Sequence, residues 1–283
     1  MEAAIQVFIG GVFTGAVYAV AAVGLTLIFR VGRVVNLAHG SFFALGAYIA
    51  YQVTFLGLPA LLGAAPAAAM GLLLGSAVDR TVVRPLRRET LTVATVLLGL
   101  AILAEEGVAL VWGISPHSVP LRLPTLLVGR IVLGVEQAAA AGIAAVCLGA
   151  VGLYLRTKPG LGMRAAVADP DIAAMAGIDV ERLQTATFGV ACAMAATAGA
   201  LLSPQLTLSP AMGRAPLILS LAMAAAGGPD RLWGTLVASF VVGLASTVVA
   251  FYLDPAWSYL LALFVLMSAV IWRADGGLSR IRS

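Results

Sequence analysis

Charge is scarce in this sequence. Of 283 residues, 11% are charged and 61% are hydrophobic, whereas an ordinary soluble domain carries about 25% charged residues. Mean hydropathy is +1.03. A water-soluble globule of this size could not coat so much apolar surface with the polar residues available. A soluble enzyme, a nucleic-acid binder and a disordered tail are excluded on that ground. Lysine is nearly absent: Lys158 stands alone and is followed by Pro159. A phosphate-cradling loop needs Gly-Lys-Ser/Thr at a helix start, so the chain has no nucleotide-hydrolysing loop of its own. The two histidines, His39 and His117, and the two cysteines, Cys147 and Cys192, lie far apart. No local metal-ligand spacing exists, and no disulfide framework. Both cysteines fall in apolar runs, where a small buried thiol is expected. Nothing in the sequence asks for a cofactor.

What is present is a series of long apolar runs. The first covers Ala3 to Phe29, too long for a signal-peptide core, and is read as a span. Further spans are expected at 38–56, 60–78, 91–112, 131–155, 183–203, 215–227, 232–253 and 257–272. The fold class is therefore all-α: a polytopic helical membrane protein of about eight to nine crossings, forming a single transmembrane domain over 1–283. The 215–227 run gives about 20 Å of helix, too short for a ~30 Å hydrocarbon core. It is either a half-helix or continues through Gly227-Gly228-Pro229. The net charge of +4 comes from arginines in short loops, in 79–90, 156–182 and after Ile271. Such clusters orient membrane proteins and place these loops in the cytoplasm. Nine crossings then put the amino terminus outside and the carboxyl terminus inside. A 38–56 segment that only dips into the membrane would break that parity.

Glycine lies inside the spans. Gly11-x-x-x-Gly15 and Gly71-x-x-x-Gly75 are small-x-x-x-small faces that let helix backbones approach closely. A faint internal echo joins Gly46–Ala50, after the polar bend 36–41, to Gly234–Ala238, after the bend 227–231. Broken helices at matching places in two halves point to a transport site.

The stretch Gly24–Tyr51 is the most informative. Asn36, His39, Gly40 and Ser41 interrupt it with polar groups and a glycine, within about one helical turn. In hydrocarbon an unpaired polar group costs several kcal/mol. The cluster must line a cavity, pair with neighbours or sit at the interface. These residues resemble the amino-terminal signature of the LivH-type permeases, membrane subunits of ATP-binding-cassette importers for branched-chain amino acids and related amides or urea. The matching residues are Gly24–Ile28, Arg33, Asn36, Ala38–Gly40 and Leu45–Tyr48; Phe29-Arg30 and Leu37 depart from the pattern.

A second stretch, Gly160–Gly177 leading into Ile178, has Asp169 or Asp171 near a helix start, where a carboxylate suits the helix dipole. Ile172, Met175 and Ile178 recur on one face. It reads either as an amphipathic interfacial helix or as a docking helix for a cytoplasmic partner. Arg164, Ala165, Asp169, Ala173, Gly177 and Ile178 are similar to the family segment that contains the coupling helix. A third stretch, Ala226–Arg231, resembles the family's late glycine-rich segment only in part.

The resemblance implies an inner-membrane permease with an ABC-importer fold. It implies a second homologous permease, two cytoplasmic ABC ATPase subunits and an extracytoplasmic solute-binding protein as partners. Glu105 and Glu106, mid-way through 91–112, are intramembrane acids. They either serve the path, holding a proton or a substrate ammonium, or one of them pairs with an arginine near a helix end or is protonated at pH 7; adjacent positions point about 100° apart. Asn36, His39, Gly40, Ser41, Glu105 and Glu106 are the candidate path residues. Arg164, Asp169, Asp171, Ala173, Met175, Gly177 and Ile178 are the candidate coupling residues. The competing reading is an ion-coupled secondary transporter working alone through Glu105 and Glu106. It would have no use for a docking ridge in 156–182. A membrane-embedded enzyme has no motif to support it.

Overall fold

The computed structural model describes residues 2–128, 131–228, 231–253, 257, 260, 261, 263–269 and 271. The expected span 257–272 falls largely outside them, as do Pro229, Asp230 and the basic tail with Arg273, Arg280 and Arg282. The described chain is helical: α1 (Glu2–Gly32), α2 (His39–Phe55), α3 (Ala64–Val78), α4 (Arg84–Leu86), α5 (Thr90–Trp112), α6 (Val135–Tyr154), α7 (Lys158–Ala168), α8 (Pro170–Met175), α9 (Val180–Leu202), α10 (Arg214–Gly227) and α11 (Leu232–Tyr252). Four short strands decorate one end. β1 (His117–Ser118) pairs antiparallel with β4 (Thr207–Leu208), and β2 (Thr125–Val128) with β3 (Ile131–Gly134).

Six helices in the described residues are long and apolar enough to cross a membrane: Ala4–Gly32, Ala60–Leu86, Thr90–Trp112, Val135–Tyr154, Val180–Gln205 and Leu232–Tyr252. Two more are shorter. α2 has 17 residues and α10 has 14, about 26 Å and 21 Å of helix. The half-helix reading of 215–227 is the one observed. Gly228, with φ 105°, ends α10 in a conformation that only glycine adopts readily.

Three expected boundaries moved. The 131–155 run begins as a strand, because β-branched Ile131 and Val132 favour pairing with 125–128; the helix starts only at Val135. Loop 79–90 is mostly helix. Pro85 cannot donate to the carbonyl one turn back and its ring crowds that turn. The helix widens into a π-turn over Asp79–Val83, and Arg84 N–H donates to the Asp79 carbonyl. The 160–177 segment is two helices, because Pro170 forces Asp169 out of the helical region to φ −154°, ψ 106°.

α1 and α9 form the centre. In their most apolar stretches 72% and 83% of residues are buried, against 11–33% in the other long helices. α11, α9, α6 and α10 pack around α1, while α3 and α2 pack on α9. Glycine sets these approaches. Gly11 and Gly15 face Leu244 and Phe240, and Gly243 faces Gly15, so α1 and α11 run antiparallel in close contact. Gly71 and Gly75 meet Cys192 and Ala193 on α9. Gly199 lies against the Phe43 carbonyl, and Gly46 against the Ala196 carbonyl. Small-residue faces bring backbones together in a medium that supplies no hydrophobic drive between helices.

Several polar side chains inside the bundle are satisfied locally. Thr197 and Ser239 donate to carbonyls one turn back, at 2.8 Å each. Thr26 and Thr235 join α1 to α11 through a 3.0 Å hydroxyl pair. One buried charge cluster ties three helices together at the end that carries α7 and α8. Asp79, 1% exposed, accepts from Arg87 at 2.7 Å and from Thr185 at 2.6 Å. Arg87 also donates to Gln184, whose amide reaches the Val31 carbonyl on α1 at 3.4 Å. Arg84 pairs with Glu181. The start of α9, and through it the 156–182 segment, is anchored to α1 and the α3–α4 helix by these bonds.

Two outcomes follow from the packing. Gly199→Val, whose side chain would enter the Phe43 carbonyl, lowers the melting temperature of the purified protein by a cost of about 1–3 kcal/mol or abolishes folded yield, whereas Gly149→Ala, with open space beside it, leaves the melt unchanged. Asp79→Leu strands the Arg87 guanidinium and destabilises by ~3 kcal/mol; a melting curve superimposable on the wild type would refute the buried-pair assignment.

Candidate functional site

The two short helices are short because the chain enters each of them part-way through the bundle. After α1 the chain breaks at Arg33, in the left-handed region at φ 53°, and residues 33–36 carry no regular structure. Asn36 then builds the turn that starts α2. Its Oδ1 accepts from the Ala38 N–H at 3.0 Å, and its carbonyl from the His39 N–H at 3.2 Å. Its Nδ2 donates to the Cys192 thiol on α9 at 3.7 Å. His39 Nε2 lies 2.9 Å from the Ala21 carbonyl. Ala21 is some 16 Å from the end of α1 by helical rise. The first turn of α2 therefore sits deep inside the bundle.

The other break mirrors it. After α9, residues 203–213 run through two short 3-10 turns and β4, and α10 begins at Arg214. Gly213 lies directly against Gly40: a Cβ on either would enter the other's carbonyl. The N-termini of two broken helices thus meet inside the bundle, one helix leaving toward each end. Unpaired N–H groups and the aligned peptide dipoles make each such terminus electropositive.

Beside this meeting point lies a cavity of about 400 Å³ between α2, α5 and α10. Gly40, Ser41, Glu105, Gly213 and Arg214 line its polar part, and Leu37, Ile102 and Leu217 belong to its apolar part. Ser41 Oγ donates to the Ala101 carbonyl at 3.4 Å. Arg214 clasps Glu105 with two bonds, Nε to Oε2 at 3.1 Å and Nη2 to Oε1 at 2.8 Å. Paired N–H···O bonds of this kind fix geometry as well as charge. The Arg214 side chain is 70% exposed and that of Glu105 22%, so the pair is open to the cavity.

The six expected path residues separate. Gly40, Ser41 and Glu105 come together at the cavity. Asn36 and His39 are buried, 0% and 1% exposed, and their bonds to α9 and α1 set where α2 begins. Glu106 is exposed and points away from the cavity. Gly213 and Arg214 were not anticipated. Their signal was an arginine opening a run too short to span a membrane.

The expected coupling residues also divide. Asp169 is the N-cap of α8, accepting from the N–H groups of Asp171 and Ile172 at 3.0 Å each. Ala173 is buried, and Gly177 turns the chain with φ 82°. Ile178 is half-buried near Gly162. Arg164 donates to the Leu155 carbonyl. The outward face of α8 is Asp171, Ile172 and Met175, the last two 59% and 80% exposed. An acidic and apolar ridge stands free there.

Comparison with known proteins matches this architecture. Residues 7–270 match the family model described as "Branched-chain amino acid transport system / permease component". The high-affinity branched-chain amino acid transport system permease protein LivH of Escherichia coli (strain K12) is 25% identical over 294 residues, covering 98% of this chain and 96% of that protein. The probable branched-chain amino acid transport permease protein LivH of Methanocaldococcus jannaschii is 27% identical over 247 residues, covering 83% of this chain and 78% of that protein. Among solved structures, PsaBC from Streptococcus pneumoniae in complex with Fab shares the fold, with a TM-score of 0.51 at 13% identity over 92% of this chain and 89% of that one. The all-α bundle, its broken helices and this match over nearly the whole chain place the protein in the branched-chain amino acid transport permease family, as a multi-pass membrane permease.

Proposed function

We propose that this chain is the permease subunit of an ATP-binding-cassette importer that moves branched-chain amino acids or related small amides across the inner membrane. The observation that carries the reading is the cavity at the meeting point of α2 and α10, in a chain of this family. An amino acid in its zwitterionic form carries one carboxylate and one ammonium. The two helix N-termini and Arg214 suit the first, and Glu105 suits the second. In the empty cavity Glu105 and Arg214 satisfy each other. A passing zwitterion exchanges that internal pair for two external ones at little net electrostatic cost, which favours transit over tight retention. The apolar wall from Leu37, Ile102 and Leu217 accommodates an aliphatic side chain. Asn36 and His39 act by holding the first turn of α2 in place.

Energy comes from outside the chain, since its single lysine serves no phosphate loop. In this reading two cytoplasmic ATPase subunits supply it, one of them gripping the ridge of Asp171, Ile172 and Met175 on α8. The buried Asp79–Arg87–Thr185 cluster carries that motion to α1, α3 and α9. Arginine-rich loops put the α7–α8 end in the cytoplasm, with the amino terminus outside and the carboxyl terminus inside. A second homologous permease supplies the other half of the path, and an extracytoplasmic solute-binding protein delivers the cargo. The self-sufficient ion-coupled transporter is not favoured, because its coupling carboxylate, Glu105, is already paired with Arg214.

In vesicles reconstituted with its ATPases and binding protein, Glu105→Gln lowers leucine uptake by roughly tenfold while ATP hydrolysis persists, because a charged hydrogen bond to the cargo is lost; undiminished uptake would remove Glu105 from the path. Ile172→Glu with Met175→Glu lowers both uptake and transport-stimulated ATP hydrolysis by roughly tenfold through loss of apolar anchors. The melting temperature of the isolated permease stays the same, since both side chains are exposed. Retained coupling in that double variant would mean that α8 is only an interfacial helix.

A further inference from the structure

At the end of the bundle that carries α7, a second groove of about 1030 Å³ opens between α1, α6 and α11. Four arginines from four different elements converge on it. Arg30 is in the last turn of α1, Arg156 follows α6, Arg164 stands on α7, and Arg231 precedes α11. Among the described residues no carboxylate lines the groove, and none of the four arginines has an acidic partner. Arg156, Arg164 and Arg231 are exposed and Arg30 is half-buried. Four like charges gathered at one groove repel one another and attract an anion.

The remainder of the groove is apolar. Leu148, Val151 and Leu153 of α6 and Leu232 and Leu236 of α11 form its walls. α6 and α11 bury only 11% and 28% of their most apolar stretches within the chain, so this surface is left open to an apolar occupant. Trp233, 80% exposed, stands at the boundary between the apolar walls and the arginines, where indole rings concentrate in membrane proteins. A free inorganic anion would satisfy the arginines and leave the walls uncovered. An amphiphile with an anionic head and two acyl chains satisfies both.

We propose that this groove binds an anionic phospholipid, its phosphate held by Arg30, Arg156, Arg164 and Arg231 and its acyl chains lying along α6 and α11. Basic pockets between membrane helices on the cytoplasmic side are suited to such heads. Arg164 also hydrogen-bonds the Leu155 carbonyl. The lipid phosphate therefore bridges the end of α6 to α7, the helix that leads into α8. The proposal depends on the bundle spanning a membrane and is independent of which solute it carries.

The test uses the full chain, purified and delipidated in a neutral detergent, with phosphatidylglycerol retention measured by native mass spectrometry. Phosphatidylglycerol binds in preference to phosphatidylcholine, and Arg156→Gln with Arg231→Gln weakens it by roughly tenfold or more. Arg156→Lys with Arg231→Lys keeps most of the binding, which separates lost charge from lost fold. Arg80→Gln with Arg88→Gln, exposed arginines of the same end but outside the groove, leaves it unchanged. Equal binding of the zwitterionic lipid, or equal loss in the Arg80/Arg88 variant, overturns the proposal. Full competition by millimolar inorganic phosphate overturns it in favour of a simple anion site. A disulfide formed efficiently between Trp233→Cys and the second permease in the assembled importer overturns it in favour of a subunit interface.

Discussion

Inside a lipid bilayer every backbone N–H and C=O must find a partner within the protein, and this fold breaks two helices where that rule is strictest. An interrupted helix leaves orphan donors at depth, and each orphan costs several kcal/mol in hydrocarbon. The contact of Gly40 with Gly213 answers the constraint. Only glycine on both sides lets the two broken ends abut, so that they share one small polar region instead of creating two. Asn36 supplies the turn that starts one of them, and His39 moors it to α1. The rest of the bundle, with its glycine-lined crossings of α1 on α11 and of α9 on α2 and α3, holds these two ends in register.

In the proposed function the same arrangement lets a chain with so little charge handle a charged solute. Fixed full charges in the cavity would bind a zwitterion too well or repel it, and would be costly to bury. Peptide dipoles at two helix starts provide positive potential without an ion. Glu105 and Arg214 provide full charges that cancel when no solute is present.

Charge is concentrated instead at one end of the bundle, and it is handled there in three ways. Asp79, Arg87 and Thr185 form a buried cluster that ties the start of α9 to the end of α3, and Gln184 extends it to α1. Asp169 caps α8 and leaves Asp171, Ile172 and Met175 turned outward. Arg30, Arg156, Arg164 and Arg231 gather around an apolar groove, with no acidic partner among the described residues.

The amino-acid sequence by itself determined the class of solvent, the approximate place of most of the long helices, and the close-packing faces at Gly11-x-x-x-Gly15 and Gly71-x-x-x-Gly75. These follow from composition and short-range periodicity, which act within one or two helical turns. It also marked both helix breaks, through the polar cluster at 36–41 and the short run at 215–227, and it offered an arginine near a helix end as a partner for Glu105 without naming which. Tertiary structure alone decided that the two breaks meet, that the partner is Arg214, 109 positions away, and that Asn36 and His39 are buried with bonds to α9 and α1. The π-turn before Pro85 and the pairing of Asp79 with Thr185 across 106 positions were decided in the same way. A side chain's partner over such distances is set by which helices pack together, and hydrophobic periodicity shows that a helix has an inward face without saying which neighbour that face will meet.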